Sequence, residues 1–346
     1  MADSGLSSGP VWRVLALVGV AILCLLLAPF LGPVPLYPSD VFQSLTGANP
    51  ATTIFWQMRV PRVMLGLLAG AGLSLAGAAF QGLFRNALAT PYTLGIANGA
   101  AFGAVLCIRL NLQFNVLGLP GISLFSLIGA SLSVILVYGI TVRSADFSGL
   151  TMLLAGVAIS LFFSSLILFV QYLTDFSQSF EAIRWLMGGL EVLGYGDIAA
   201  AAPFVAVGGG VLLFLRRELD LVSVGDDFAA SRGVAVRNTR MLLFVAASLM
   251  VGGVVAVTGP IGFVGLMVPH ICRLLVGPRH GVLLPVCALF GGAFLVACDC
   301  VARTIIAPAE LPVGVLTALL GGPFFLWLLL RASRHGRLLG MGEARW

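Results

Sequence analysis

Lysine is absent from this 346-residue chain and charge of any kind is scarce, with acidic and basic residues together making up 10% of the total. Soluble globular domains devote about a quarter of their residues to charge. With 59% hydrophobic residues and a mean hydropathy of +1.06, the solvent for this chain is a bilayer. Histidine is nearly missing too. None of His270, His280 and His335 has the i, i+4 companion of a His-Glu-x-x-His metal helix. There is no Walker-type phosphate loop, and Ser74 in Gly72-Leu-Ser-Leu-Ala76 lacks the last glycine of a nucleophile elbow. The six cysteines lie in or beside apolar runs without Cys-x-x-Cys spacing, which suits small buried hydrophobes. These absences leave no catalytic, cofactor-binding or metal-ligating residue to nominate, so an enzyme reading has nothing to stand on.

What is present is a series of long apolar intervals. Charge-free runs mark spans near 13–31, 61–83, 93–109, 121–141, 149–173, 197–215, 240–258, 261–276, 282–303 and 312–331. The expected fold is therefore all-α, a single polytopic domain over residues 1–346 with about ten transmembrane helices. The first run follows Arg13 without an A-x-A-like cleavage site and reads as a retained span. Ten spans put both termini on one side. With the N-terminus inside, fourteen of the nineteen basic residues are inner and five (Arg59, Arg62, Arg109, Arg184, Arg303) are outer. That asymmetry follows the positive-inside rule and places both termini in the cytoplasm. The net charge of +5 comes from arginines scattered between apolar runs, so it orients the chain in lipid and does not imply nucleic acid.

Small residues recur at four-residue spacing, as in Gly66/Gly70 and Gly95/Gly99/Gly103, which lets lipid-solvated helices approach closely. Two outer segments, Gly32 to Val60 and Thr174 to Gly196, exceed a simple turn, and the second has room for a short interfacial helix.

One stretch breaks the pattern. Arg216 to Arg240 holds nine charged residues between apolar runs on the cytoplasmic side. Gly225 there allows a sharp turn through a backbone conformation closed to other residues. Asp226 and Asp227 would then begin a short helix at the positive end of its dipole, with Phe228, Ala229 and Ala230 as an apolar face. The alternative is a solvated loop. A second feature is Asp299, four residues before Arg303 and able to pair with it along one helix face. An ionisable group inside the membrane also admits another reading, a proton-coupled secondary transporter using Asp299.

The ordered motifs Arg59-Val-Pro-Arg62, Gly77-Ala-Ala-Phe-Gln81, Arg85-Asn-Ala-Leu-Ala-Thr-Pro91, Leu94-Gly-Ile-Ala-Asn-Gly-Ala100, Trp185-Leu-Met-Gly-Gly-Leu190, Gly259-Pro-Ile-Gly-Phe-Val-Gly-Leu-Met-Val-Pro-His-Ile-Cys-Arg273 and the stretch Glu310 to Pro323 resemble the FecCD-type permeases. These are the membrane subunits of binding-protein-dependent ABC importers for iron-siderophores, haem and cobalamin. Ala87 stands where the family usually has proline, which implies a less sharply turned end to the second span. The resemblance implies a homodimer in the bacterial inner membrane, two cytoplasmic ABC ATPase subunits carrying ATP and Mg, and a periplasmic or lipoprotein substrate-binding protein. It places coupling helices on Val222 to Gly233, including Val222, Ser223, Gly225, Asp226, Asp227, Phe228, Ala229, Ala230 and Gly233. It assigns binding-protein docking to Arg59, Arg62 and Arg303. The residues themselves leave two other roles open: snorkelling for Arg59 and Arg62, and the intramembrane pair with Asp299 for Arg303.

Overall fold

The computed structural model describes residues 9–37, 39, 41, 50–116, 118–143 and 148–334. Of the residues considered above, His335 and two of the fourteen arginines counted as inner, Arg337 and Arg345, lie outside the described residues. The bundle helices are α1 (Gly9–Leu27), α2 (Pro50–Leu83), α3 (Ile96–Arg109), α4 (Gly121–Arg143) and α5 (Gly149–Tyr172). A short helix α6 (Phe176–Leu186) follows, within the outer segment expected to hold one, and then α7 (Gly196–Phe214). Next come two short helices, α8 (Arg216–Val224) and α9 (Asp226–Ser231), and finally α10 (Val236–Thr258), α11 (Val264–Val276), α12 (His280–Ala302) and α13 (Val313–Arg334). An apolar helix occupies each of the ten marked intervals. Six of them (α2, α4, α5, α7, α10, α12) are long and apolar enough to cross a membrane, and α1, α3, α11 and α13 carry shorter apolar stretches.

The bundle is built around α2, which packs on α12, α10, α11 and α7. Of its most apolar window, 78% is buried within the chain, against 28% for α5 and for α7. Glycine makes these close crossings possible. A Cβ on Gly77 would lie 1.8 Å from the Gly265 carbonyl oxygen, and one on Gly129 would lie 2.0 Å from that of Gly99. Between lipid-solvated helices such backbone contact supplies the dispersion that apolar area alone does not.

The α2 helix begins at Pro50, eleven residues earlier than the charge-free interval implies. Its first part includes a π-helical stretch, Ile54–Arg59, where the Val60 N–H reaches back to the Phe55 carbonyl. Pro61 then has no N–H to offer the Gln57 carbonyl four residues back. That oxygen accepts instead from the Gly194 N–H at 2.8 Å, and the Trp56 carbonyl accepts from the Tyr195 hydroxyl at 3.0 Å. The segment before α7 is thereby stitched to α2.

Helix α12 ties the two ends of the molecule together. At its start the His280 N–H and Nδ1 both lie against Asp220 of α8, and at its end Asp299 lies against Arg62 of α2. Twenty-three residues separate the ends by about 34 Å, the thickness of a membrane core. The charged stretch 216–240 and the outer arginines are therefore at opposite ends of the bundle.

Candidate functional site: a projecting elbow and a buried arginine cluster

The charged stretch folds as two short helices meeting at Gly225. Helix α8 starts at Arg216, six residues before the expected coupling segment, because Leu219 and Val222 fall on one face and are both fully buried against the bundle. The expectation for Gly225 is corrected: its φ of 167° and ψ of 152° are extended backbone, open to any residue. Left-handed backbone occurs at Gly233 (φ 82°) instead. There the Val234 N–H donates to the Ala229 carbonyl (3.1 Å) and the Gly233 N–H to that of Ala230 (2.9 Å), a Schellman cap that ends α9.

Asp226 and Asp227 occupy the first turn of α9, where the helix dipole favours carboxylates. They do different work. The Asp226 carboxylate accepts from the buried Arg240 at 2.6 Å and stands 3.5 Å from Arg85, so it anchors the elbow to the bundle. Asp227 points outward with Phe228, which is 41% exposed and has the Arg232 guanidinium 5.3 Å above its ring. Ala229 is buried beneath them and Ala230 is exposed. Ser223 caps inward, its hydroxyl donating to the Asp220 carbonyl at 2.7 Å. Burial pushes the Asp220 carboxyl up, but the two hydrogen bonds from His280 and the charges of His280 and Arg279 outweigh it and hold Asp220 below the usual carboxylate range.

At the opposite end Arg59 and Arg303 are buried, and Arg62 half-buried, among this chain's own groups. Arg59 donates to the carbonyls of Pro29 and Phe30 at 3.1 Å each and to that of Val34. Arg303 donates to the Ala28 carbonyl at 3.0 Å and to the Cys300 Sγ at 3.1 Å. Together they fasten the stretch 28–34 over the ends of α2 and α12. Arg62 grips Asp299 through Nε (2.9 Å to Oδ2) and Nη2 (2.8 Å to Oδ1), while its Nη1 reaches Glu310 at 2.6 Å. Asp299 and Arg303 do approach along the helix, at 3.6 Å, but the fork of Arg62 is the closer partner. A carboxylate held this way suits a fixed ion pair better than a proton carrier.

Four participants escape a reading of the sequence: Glu310, Asp220, His280 and Arg240. Glu310 was legible in principle, being the one acid between the last two apolar spans. The others are joined to partners 14 to 60 positions away, which no spacing rule reaches.

Between the two ends, α5, α11 and α13 face one another across an open cavity of about 990 Å³. Leu168, Phe263, Leu266 and Leu319 give it a mainly apolar wall. Asn98, whose amide donates to the Ser160 (2.6 Å) and Ser164 (3.0 Å) hydroxyls, and Gln171 supply polar points. Among the described residues no group of three or more histidine, cysteine or carboxylate side chains could hold a metal ion.

A bundle of ten apolar helices with a charged elbow on one end and an apolar cavity along its side is the membrane subunit of a transporter. The chain belongs to the FecCD transport family, which matches residues 20–331, and is thus an ABC transporter permease. It is 42% identical over 279 residues to the cobalamin import system permease protein BtuC of Halobacterium salinarum, covering 81% of this chain and 74% of that one. It is 38% identical over 291 residues to the hemin transport system permease protein HmuU of Yersinia pestis, covering 83% and 86%. A solved structure of a metal-chelate type ABC transporter, in an inward-facing conformation, superposes with a TM-score of 0.81 at 30% identity, covering 92% of this chain and 98% of that one.

Proposed function

We propose that two copies of this chain form the transmembrane path of an ATP-driven importer for an iron chelate, a siderophore or haem, in a bacterial inner membrane. Both termini and the elbow face the cytoplasm. One ABC ATPase, with its ATP and Mg, docks on each elbow, and a periplasmic or lipoprotein binding protein delivers the solute at the end that carries Arg59, Arg62 and Arg303. ATP binding closes the ATPase pair, moves the elbows and switches the path between its outer and inner gates.

The observation that carries this reading is the elbow. Asp227 and Phe228 stand clear of the bundle while Leu219, Val222, Ala229 and Asp226 root it. A polar segment that is rigidly held at its base and offers an aromatic and a carboxylate at its tip is built to be pushed by a partner. The cavity along α5 and α13 supports a path whose second wall comes from another copy, and its apolar lining suits a bulky chelate held loosely. The relatives named for haem and for cobalamin make cobalamin the alternative cargo.

The test is the double variant D227A/F228A, reconstituted in vesicles with its ATPase and binding protein. We expect an intact dimer, continuing ATP hydrolysis and uptake reduced at least about tenfold, since a hot-spot pair of this kind carries more than about 1.4 kcal/mol. Undiminished uptake refutes the coupling role.

A further inference from the structure

A second cleft, of about 550 Å³, opens at the elbow end between the turn after α2, the end of α8 and the turn joining α11 to α12. It lies within the range of small-molecule sites, about 300–1,000 Å³. Its charged lining is basic. Arg273, at the end of α11, is half-buried and has no carboxylate beside it among the described residues. Arg85 has one, Asp226, but only at 3.5 Å, and that carboxylate is already taken at 2.6 Å by Arg240. Arg85 also sits in the left-handed backbone region (φ 51°), a conformation that costs a non-glycine residue energy and recurs where side chains serve a site.

Two buried polar atoms in the lining are unsatisfied. Gln81 is 3% exposed; its amide nitrogen is fixed to the Leu266 carbonyl at 3.3 Å, and its Oε1 has no partner among the described residues. His280 is 2% exposed; Asp220 holds its Nδ1, and its Nε2 has no partner among the described residues. Buried groups of this kind are nearly always hydrogen-bonded in a native protein. Two guanidiniums beside two buried acceptors, Gln81 Oε1 and the His280 Nε2 lone pair left when Nδ1–H donates to Asp220, describe a site for an oxyanion that also carries hydroxyls. The rim bears exposed apolar side chains, Val224 in the lining and Leu274 next to Arg273, each 67% exposed.

We infer that this cleft binds a phosphate oxyanion, with Arg85 and Arg273 as its counter-charges, supplied by the headgroup of an anionic phospholipid or by free phosphate. Basic pockets between helices on the cytoplasmic face of membrane proteins take lipid phosphates in this way. Val224 and Leu274 favour the lipid, whose acyl chains they can meet, and a glycerol headgroup would bring the hydroxyl that Gln81 Oε1 accepts. The importer reading enters only in naming the leaflet, so failure of either leaves the other standing.

The experiment uses the full chain in nanodiscs of phosphatidylcholine, with and without phosphatidylglycerol, and in phosphatidylcholine with inorganic phosphate added. Thermal midpoints and lipids retained in native mass spectra are compared between the unaltered protein and R85Q/R273Q. Phosphatidylglycerol should be retained and should raise the midpoint of the unaltered protein, with binding about 30-fold weaker in the double variant, the ordinary contribution of two basic side chains at an anionic surface. A shift produced by inorganic phosphate and not by the lipid would support the oxyanion site with a soluble source. Equal lipid retention by both proteins, or no shift with either ligand, overturns the inference. Loss of ATPase association in the double variant with lipid retention unchanged also overturns it, giving the arginines to the partner. If R273Q does not fold, R85Q/R273K takes its place, and it should lose only part of the lipid affinity.

Discussion

The two charged ends of this permease are built on opposite plans. At the end away from the elbow the basic side chains Arg59, Arg62 and Arg303 are turned inward and spent on carbonyls, a thiol and carboxylates of the same chain. At the elbow the buried Arg240 and the half-buried Asp226 form a foundation, and the charged and aromatic groups beyond them face outward. A motif can therefore be strongly charged for two reasons, to hold a fold together or to meet a partner, and only burial tells which. The docking role proposed for Arg62 is compatible with its geometry in one direction: Glu310, 33% exposed, is the partner that an incoming carboxylate could replace, whereas Asp299 is enclosed.

The comparison can be broken first at Asp299. Replacing it with asparagine leaves Arg62 and Arg303 short of their counter-charge in a buried setting, at a cost on the order of 3 kcal/mol. The thermal midpoint and membrane abundance of D299N should fall, with residual uptake still dependent on the ATPase; ATPase-independent uptake that Asp299 controls would instead revive a proton-coupled mechanism. Next is D226N, at the foundation of the elbow. Its carboxylate is about one-third exposed, so the loss should be nearer about 1–2 kcal/mol, read as earlier proteolysis near residues 225–235. A stable elbow in D226N would mean that Arg240 does not depend on it.

Smaller effects sharpen the picture. E310Q removes the exposed half of the Arg62 pairing, worth about 0–1 kcal/mol. If Arg62 receives the binding protein, docking should tighten by up to about fivefold at low salt and the gain should fade as salt rises; unchanged docking at every salt concentration removes Arg62 from that role. The clamp between Asp220 and His280 should show its dependence on acid. Because the folded carboxyl is held below its unfolded value, its contribution is complete above about pH 4 and is lost as pH falls through the lower folded value. Amide exchange around α8 should therefore accelerate only below about pH 4, and acceleration that begins well above that would take the Asp220 carboxyl out of this role. The smallest effect belongs to the exposed pair Arg184 and Glu191, where R184Q should change the midpoint by less than about 0.5 kcal/mol equivalent.

The ten helices were legible because charge is costly in lipid, so stretches poor in charge mark the helices even where a paired residue such as Asp299 lies inside one. The elbow was legible for the converse reason, nine charges placed where lipid cannot be. The start of α2 was not, since Arg59, Pro61 and Arg62 look like a boundary until the Gly194 N–H is seen to satisfy the carbonyl that Pro61 leaves open. The pairing of Arg62 with Asp299 spans 237 positions, and local spacing offers only the weaker contact with Arg303. Ala87 suggested a slack end to α2. The turn is tight all the same, because the Asn86 side chain accepts the Leu88 N–H at 2.9 Å and Arg85 takes the left-handed backbone.

Helix α12 has one foot in each camp, with its first residue pinned to the elbow through Asp220 and its last turn pinned to α2 through Asp299. One continuous helix thus joins the two charged ends of the bundle. A pull on α8 therefore acts on the same helix that carries Asp299 at its far end.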